Sequence, residues 1–476
     1  MSTRVAVVGG GITGLAAAHA LTTSASDVEV VVLEGSPRIG GKLLVGEVAG
    51  LPVDLGAEVM LHRRPEAVAL ARVAGLGDDL THPEPIGSSI WTRGALLAMP
   101  RTVMGVPADL PGLAGSGVLS RTGVLRVRAE PFLPGSALSE AQADDLSVGD
   151  FLARRLGSEL VDRIVEPLLG GVYAGHARRL SLAAAAPQVQ QPAVAGRSLV
   201  RAAQPVSAQP VTTSSPVFAG LRGGVGRLPA AVASASGAQV ETSATVRLLT
   251  RASATRWRLV VGSTHDARLL EVDAVVLATP AASASRLLDI VAPAAARELR
   301  RIEYAGMAVI TLAYPAGALG PPLTSSGFLV PPVEGRDVKA STFSSAKWAW
   351  LREAGEREGG ITVVRASVGR HGQEHLVQRE DTELVELAAG DLAEAAGLRG
   401  PLIDAQVTRW GGALPQYSVG HRSRVQRIRA AVTEVEGLEV CGAAYDGVGI
   451  AACVADGTAA AHRLLEQLGR RGTMKP

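Results

Sequence analysis

The sequence predicts an α/β fold in which a discontinuous parallel-sheet domain carries an α+β domain and a mostly helical insertion. An apolar strand pattern at Val5–Val8 runs directly into a glycine-rich turn and a helix. The same α/β character returns after residue 215 and again after residue 405, whereas helical spacing of Leu, Ile and Val dominates in between. A chain of 476 residues exceeds what one compact core accommodates, so several domains are expected.

The predicted boundaries follow these changes in pattern. The discontinuous domain comprises residues 1–81, 206–295 and 405–470, the helical insertion residues 82–205, and the α+β domain residues 296–404. The segment 183–216, rich in Ala, Pro, Gln and Ser, predicts a loop or linker. Further predicted elements are helices at 148–156, 159–169, 382–396 and 450–468, and strands at 307–314 and 361–368.

Composition narrows the class of protein. The hydrophobic fraction is 47% and the formal net charge is +2, which gives no reason to expect a nucleic-acid partner. Two cysteines, Cys441 and Cys453, predict buried free thiols and a reducing cytoplasm. We expect no secretion signal and no membrane-spanning segment, with peripheral membrane contact left open.

The first strand is followed by a phosphate-binding motif. Gly9, Gly11 and Gly14 match G-x-G-x-x-G between a strand and a helix, which is the context that the motif requires. Glycines there let the backbone approach a pyrophosphate, whose charge the helix N-terminus stabilises. A second strand ends at Glu34, about 20 residues beyond Gly14, where a carboxylate accepts hydrogen bonds from a ribose. The sequence therefore predicts a dinucleotide site in a Rossmann-type domain.

Later segments resemble the amine oxidase-like flavoproteins. Gly40-Gly41-Lys42 and the segment 53–58 are similar to their second glycine turn and G-A-[DE] segment. Segment 273–280 is similar to their A-T-P strand, and segment 439–450 to their flavin-proximal glycine turn. The resemblance implies FAD, and a noncovalent one, because neither cysteine matches the tethering pattern of some relatives.

Within that superfamily, the chain resembles the coproporphyrinogen III and protoporphyrinogen oxidases. The resemblance rests on segments 166–181, 218–229, 339–348 and 365–370, and on Trp410 with the residues from Leu414 to His421. The motif and the resemblances together nominate these FAD-binding residues: Gly9, Gly11, Ile12, Thr13, Gly14, Glu34, Gly35, Lys42, Gly56, Ala57, Glu58, Val59, Val246, Trp410, Val448, Gly449 and Ile450.

One departure from the family bears on the substrate. An arginine that plant and animal members use to hold a propionate falls near Ser88 and Ser89, where this chain has none. This favours the bacterial type, which acts on coproporphyrinogen III. The four propionates of that substrate need several cations. The candidate cations are Arg63, Arg64, Arg93 and Arg365.

The resemblance implies oxidation of a porphyrinogen in haem synthesis, with O2 as electron acceptor and transient contact with the ferrochelatase that uses coproporphyrin. The alternatives are a protoporphyrinogen IX oxidase, a flavin amine oxidase and a carrier that binds flavin or porphyrin without turnover. His176, His421 and Asp446 are weighed as acid or base groups, and none is assigned a catalytic role. The sequence has no metal-ligand cluster, G-x-S-x-G elbow or Walker loop.

Overall fold

The glycine-rich turn follows the middle strand of a five-stranded parallel sheet. The computed structural model describes residues 2–134, 138–208, 216–318 and 324–473. The strands come from three separate parts of the chain, and their valine-rich runs are typical of strands buried on both faces. In spatial order they are Gln239–Glu241, Val28–Leu33, Thr3–Val8, Ala274–Leu277 and Leu438–Val440.

Each face of this sheet is covered by a different layer. Val5 and Val7 pack against helices Ile12–Ser24 and Ile450–Thr473. Ala6 and Val8 point to the opposite side, as alternation along a strand requires. That side is covered by helices Ala281–Leu288, Pro293–Leu299 and His421–Thr433 and by the antiparallel strands Val246–Arg251, Trp257–Gly262 and Ala267–Val272.

A seven-stranded mixed sheet forms the second large core. Its strands in spatial order are Asp404–Pro415, Tyr304–Pro315, Ile361–Val368, Val338–Thr342, Gly327–Leu329, Ser89–Thr92 and Ala95–Ala98. Helix Asp381–Ala396 packs on it through Leu384, Ala388 and Leu392. The sheet thus takes two strands from the range predicted as a helical insertion, and one from the range grouped with the parallel-sheet domain. The domain boundaries themselves stay predictions.

The segment 183–216 differs from its prediction as a loop. The described part, up to residue 208, is mostly helical, and residues 209–215 lie outside the described residues. Alanine has the highest helix propensity of the residues, and Val189, Ala193 and Leu199 are buried in the helical core. The prediction of a loop from composition is therefore wrong, because burial in the helical core determines the structure of this segment. The helices are Leu182–Ala185, Pro187–Val194 and Leu199–Ala208.

The other helices and strands predicted from periodicity are confirmed. The remaining helical elements are Pro65–Ala71, Arg72–Leu76, Gly77–Asp79, Leu110–Ser116, Arg121–Ala129, Glu130–Phe132, Glu140–Asp144, Val148–Leu156, Ser158–Leu160, Val161–Val165, Glu166–Tyr173, Val225–Arg227, Leu228–Ser236, Ala316–Ala318, Pro332–Glu334, Ser344–Lys347, Ala349–Arg357 and Glu374–Val377. The remaining strands are Val45–Val48, Leu51–Asp54, Met60–Leu61, Leu80–Thr81, Thr102–Val103, Val106–Pro107 and Phe218–Leu221. Over the described ranges, no helix has the length and apolar character needed to cross a bilayer.

Candidate functional site

A cavity of about 900 Å³ lies at the carboxyl ends of the central parallel strands. Val8, Leu33 and Ala278, at or just beyond the ends of three neighbouring strands, line it. Ligands of open α/β sheets bind at this edge. The predicted site residues that line the cavity are Gly9, Gly11, Ile12, Thr13, Glu34, Gly35, Lys42, Ala57, Val246, Val448 and Ile450.

The glycine turn has the close contacts that a phosphate cradle requires. A Cβ on Gly14 would lie 1.9 Å from the carbonyl oxygen of Gly9, and a Cβ on Gly9 would lie 2.6 Å from that of Ala278. Gly9 also has φ +111°, which side chains rarely adopt. Gly11 differs, because a Cβ there would meet no atom within 4 Å and would enter the cavity instead. Helix Ile12–Ser24 begins at this point, so the turn fits a pyrophosphate.

Glu34 is already held in place by the backbone. Its Oε2 accepts a hydrogen bond from the Gly10 amide at 2.7 Å, and its Oε1 accepts one from the Ser36 amide at 2.8 Å. A carboxylate has about four lone-pair sites, so acceptor capacity remains for the hydroxyls of a ribose. These contacts orient the carboxylate at the cavity wall, where the sequence placed it.

The opposite wall is the turn between strand Leu438–Val440 and helix Ile450–Thr473. Gly442, Ala443, Ala444 and Val448 line the cavity from this turn, and Ile450 begins the helix. A helix N-terminus carries partial positive charge, so this wall suits a group that gains negative charge. Gly449, also predicted here, does not line the cavity.

Three titratable groups on the cavity wall have shifted pKa values, and one of them is Tyr304, whose pKa is raised by burial. Burial lowers the pKa of the Lys42 ammonium, although the Cys453 thiolate would raise it. Burial also raises the pKa of the Cys453 thiol to about 11. Cys441 is fully buried away from the cavity, and burial raises the pKa of its thiol as well. Both cysteines are therefore protonated free thiols at neutral pH, as the composition predicted.

Six predicted residues lie outside the cavity lining. They are Gly14, Gly56, Glu58, Val59, Trp410 and Gly449. Gly56 has a structural reason to be glycine, because a Cβ there would lie 2.0 Å from the carbonyl oxygen of Lys42. Trp410 donates its indole N–H to the carbonyl oxygen of Leu55 at 2.9 Å. Gly56 and Trp410 thus hold the segment from Leu55 to the lining residue Ala57 in place, close to the lining residue Lys42.

Glu58 belongs to a buried charge cluster. Its carboxylate accepts a hydrogen bond from Trp348 Nε1 at 2.6 Å and pairs with Lys347 at 3.0 Å and Arg365 at 3.3 Å. Burial alone would raise the pKa of Glu58, but the two cations and the donors from Lys347 and Trp348 lower it to about 2. Lys347 and Trp348 follow strand Val338–Thr342, and Arg365 belongs to strand Ile361–Val368. Glu58 therefore ties these two strands to the segment after Asp54.

Sequence reasoning missed several lining residues. They are Val8, Leu33, Ser36, Gly40, Gly41, Leu43, Thr245, Arg247, Ala278, Thr279, Pro280, Ser283, Arg286, Leu287, Tyr304, Gly442, Ala443, Ala444 and Cys453. Some of these residues carry a sequence signal, because they belong to segments that resemble the flavoproteins: Gly40, Gly41, the A-T-P strand and the turn after Cys441. Arg247, Arg286 and Tyr304 had no local motif, and only the folded chain places them at the wall.

Three of the four candidate propionate-binding arginines have acidic partners. Arg64 pairs with Glu66, Arg93 with Glu159, and Arg365 with Glu58. Arg63 is exposed. Its guanidinium has no ion pair to acidic groups within the described part of the chain. A substrate carboxylate would have to compete with three existing ion pairs.

The groups weighed as acids or bases are engaged elsewhere. His421 is buried, contacts the carbonyl oxygen of Tyr445 at 3.2 Å, and has its pKa lowered by burial to about 4. His176 contacts the carbonyl oxygen of His371 at 3.2 Å, and Asp446 pairs with Arg429. Within the described ranges, no three His, Cys, Asp or Glu side chains form a metal-binding group.

Comparisons with known proteins agree on one group. A profile described as "Flavin containing amine oxidoreductase" matches residues 12–465. The chain is 35% identical over 469 residues to a coproporphyrinogen III oxidase of Mycobacterium tuberculosis, covering 97% of both chains. It is 28% identical over 475 residues to the coproporphyrinogen III oxidase of Bacillus subtilis, covering 98% of both. A solved structure from Exiguobacterium sp. 255-15, assigned as a protoporphyrinogen oxidase, superimposes with a TM-score of 0.85 at 28% identity, covering 98% of this chain and 99% of that one.

Proposed function

The chain belongs to the flavin-containing amine oxidoreductases and, among them, to the coproporphyrinogen III oxidases, and from this premise we propose that it oxidises coproporphyrinogen III to coproporphyrin III in haem biosynthesis. The observation that carries the proposal is the 35% identity that extends over 97% of the chain, including both walls of the cavity. A likeness confined to the glycine motif would support only the fold.

The proposed cofactor is FAD, bound without a covalent bond. FAD accepts electrons from the substrate as a pair and passes them to an acceptor. The amides at the start of helix Ile12–Ser24 would hold its pyrophosphate, Glu34 its ribose, and Val246 its adenine. The turn ending at Ile450 would face the flavin ring. The raised pKa of Cys453 supports noncovalent binding, because the thiolate is the nucleophilic form of cysteine.

The proposed reaction removes six electrons from the macrocycle in three steps of two. Its balance is one coproporphyrinogen III and three O2 giving one coproporphyrin III and three H2O2. No side chain is assigned as acid or base, since the residues weighed for that role are tied to other groups. The protein's contribution is placement of the substrate beside the cofactor.

The substrate preference rests on a departure from the family. Neither Ser88 nor Ser89 supplies the arginine that plant and animal members use, and Ser89 is buried in a strand. This supports coproporphyrinogen III over protoporphyrinogen IX. An amine oxidase places its substrate between aromatic side chains, and aromatic residues are only 3% of this chain. A carrier without turnover has no need of a complete cofactor cavity.

We further propose a cytoplasmic location and a transient contact with the ferrochelatase that uses coproporphyrin. Handing over the product directly would keep a reactive macrocycle out of solution. We propose no nucleic-acid partner, because the formal net charge of +2 offers no broad electrostatic attraction. Peripheral membrane contact is compatible with this location.

The test begins with the purified protein and its flavin spectrum. Porphyrin fluorescence is then followed in air with coproporphyrinogen III and protoporphyrinogen IX side by side, with boiled protein to correct for spontaneous oxidation. We expect faster formation of coproporphyrin and three peroxides for each porphyrin formed. Faster oxidation of protoporphyrinogen IX would overturn the substrate assignment. Bound flavin with neither activity would favour an amine oxidase, tested by aldehyde formation, or a carrier.

A further inference from the structure

One tyrosine hydroxyl connects both sides of the turn that forms the second cavity wall. Tyr417 Oη donates a hydrogen bond to the carbonyl oxygen of Ala443 at 2.7 Å. The same oxygen accepts a hydrogen bond from the amide of Gly447 at 2.8 Å. Both groups that the hydroxyl contacts belong to the backbone of the turn, so a single side-chain atom bridges the two halves of the turn.

Tyr417 itself does not line the cavity. Ala443, which its hydroxyl contacts, does line it, and so does Val448, the neighbour of Gly447. Gly447 has φ +141°, and a Cβ there would lie 2.6 Å from Cβ of Ala452 in the following helix. The hydroxyl therefore acts on the cavity only through the backbone of the turn.

The tyrosine ring is held by groups outside the turn. It stacks on the imidazole of His421 with centroids 4.0 Å apart and an interplanar angle of 14°, and its centroid lies 5.5 Å from that of Tyr173. The carbonyl oxygen of Tyr417 accepts a hydrogen bond from the Ser181 amide at 2.7 Å. The side chain is only 2% exposed. These contacts hold the ring, and with it the hydroxyl, in one place beside the turn.

The segment that carries this tyrosine also contacts the helical region. Gln416 donates its side-chain amide to the carbonyl oxygen of Tyr173 at 2.8 Å. A Cβ on Gly175 would lie 2.2 Å from Gln416 Oε1, so the chain after Tyr173 needs glycine to let this amide in. The Pro-Gln-Tyr segment thus connects helix Glu166–Tyr173 to the wall of the cofactor cavity.

We propose that Tyr417 is a positioning residue that sets where the turn 442–449, and with it the N-terminus of helix Ile450–Thr473, stands relative to the flavin. The inference rests on the proposed FAD site. The helix N-terminus stabilises negative charge, which a flavin gains on reduction. Fixing this wall therefore raises the affinity for FAD, and raises it more for the reduced form than for the oxidised form.

Tyr417→Phe tests the proposal, because it keeps the ring and its stacking and removes only the hydroxyl. The change removes both hydrogen bonds that join the two halves of the turn. Part of this loss reaches the bound cofactor, so we expect the apoprotein to bind FAD about threefold to tenfold more weakly, with a lower flavin midpoint potential and an altered flavin absorption band. Amide hydrogen exchange should rise in the peptide spanning 442–449.

Tyr314→Phe is the matched control. The Tyr314 hydroxyl is buried in strand Tyr304–Pro315 and has no hydrogen-bond partner among the residues that the structure describes, so its loss should leave FAD affinity and potential unchanged. If Tyr417→Phe matches the wild type or this control in affinity, potential and spectrum, the proposal is wrong. A role confined to general packing would lower the melting temperature and leave the potential of bound FAD unchanged, which also overturns it.

Two outcomes separate this inference from the proposed function. If the wild-type chain fails to bind FAD, the cofactor assignment fails before Tyr417 is tested. If Tyr417→Phe does not fold, the wild-type protein still decides: the Gly447 amide must exchange slowly in the folded chain, and fast exchange there would contradict the hydrogen bond to Tyr417.

Discussion

The cavity at the parallel sheet and the interior beside the seven-stranded sheet hold their shape by different means. The cavity depends on the close approach of backbone segments. For example, a Cβ on Gly14 would lie only 1.9 Å from the carbonyl oxygen of Gly9. The other region depends on buried charge, as in Glu58 with Lys347 and Arg365. The contact between Gly9 and Gly14 joins residues close together in sequence, whereas the Glu58 cluster joins residues hundreds of positions apart. The first kind is visible in a sequence and the second is not.

Lys339 shows how far the second region departs from ordinary surface chemistry. Its ammonium is 3% exposed and donates to the carbonyl oxygen of Gly369 at 2.8 Å. Burial, reinforced by the nearby charge of Arg370, lowers the pKa of Lys339 to about 7. The seven-stranded sheet therefore carries in its interior an amine whose charged form is disfavoured by burial.

Gly14→Ala should have the largest effect, because the added Cβ collides with backbone rather than with a movable side chain. We expect protein that is purified without bound flavin and that stays colourless when FAD is added. Gly390→Ala is the control: it is also within a helix, but its Cβ meets no atom within 4 Å. Normal flavin content in Gly14→Ala would contradict the contrast between the two regions, because close backbone contacts would then not be what shapes the cavity.

Glu58→Gln should destabilise the charged region without emptying the cavity. Removing one partner from a buried ion pair costs about 3 kcal/mol. Because the folded-state pKa of Glu58 is about 2, below its ordinary value, its contribution is present above pH 4.5 and is lost as the pH falls towards 2. The difference in melting temperature between wild type and variant should therefore shrink from pH 6 to pH 3.

Glu66→Gln serves as the reference for that measurement. The Arg64 and Glu66 side chains are 45% and 29% exposed, and ion pairs near the surface contribute about 0–1 kcal/mol. A Glu58→Gln variant as stable as Glu66→Gln would mean that the buried cluster does not hold the seven-stranded sheet against the segment after Asp54. Flavin content measured on both variants shows whether the two regions are independent.

Glu34→Ala tests the cavity's one predicted carboxylate. The loss of hydrogen bonds to a charged acceptor corresponds to about tenfold weaker FAD binding, measured by titrating the apoprotein. Glu29→Ala, on the same strand and exposed to solvent, should bind FAD as the wild type does. Equal affinities for the two variants would remove Glu34 from the proposed ribose site.

Cys453→Ala should have the smallest effect, a change in FAD affinity within about threefold, because its protonated thiol contributes packing and only weak hydrogen bonds, at 3.7 and 3.9 Å, to the carbonyl oxygens of Gly447 and Val448. Acid precipitation of the wild type should release all flavin into the supernatant. Flavin that stays with the wild-type precipitate and is released from Cys453→Ala would establish a covalent bond and contradict the proposed noncovalent binding.

Local sequence marks the glycine turn and Glu34 of the cavity, but it does not mark the partners within the second core. The strand, turn and helix from Thr3 to Ser24 follow from β-branched residues and glycines that are adjacent in the chain. Strand Ser89–Thr92 pairs with Gly327–Leu329, and no local pattern announces a partner so distant. Its four residues are all buried, so the alternation that marks a half-exposed strand is missing.

Glu58 and the segment 183–208 illustrate two further limits. The family resemblance placed Glu58 at the cofactor, yet its oxygens are taken by Lys347, Trp348 and Arg365, which only the fold brings near. The Ala- and Pro-rich segment lacked a sustained helical period but became helical, because contacts with the rest of the helical core decide its structure.

The second cavity wall comes from the end of the chain, and this limits when the cofactor can be enclosed during synthesis. The glycine turn and Glu34 emerge from the ribosome early, but strand Leu438–Val440 and the start of helix Ile450–Thr473 emerge hundreds of residues later. Until they do, the central sheet lacks its fifth strand, and the cavity lacks the lining residues from Gly442 to Cys453. A nascent chain that has stalled before this point therefore cannot complete the cavity around its cofactor.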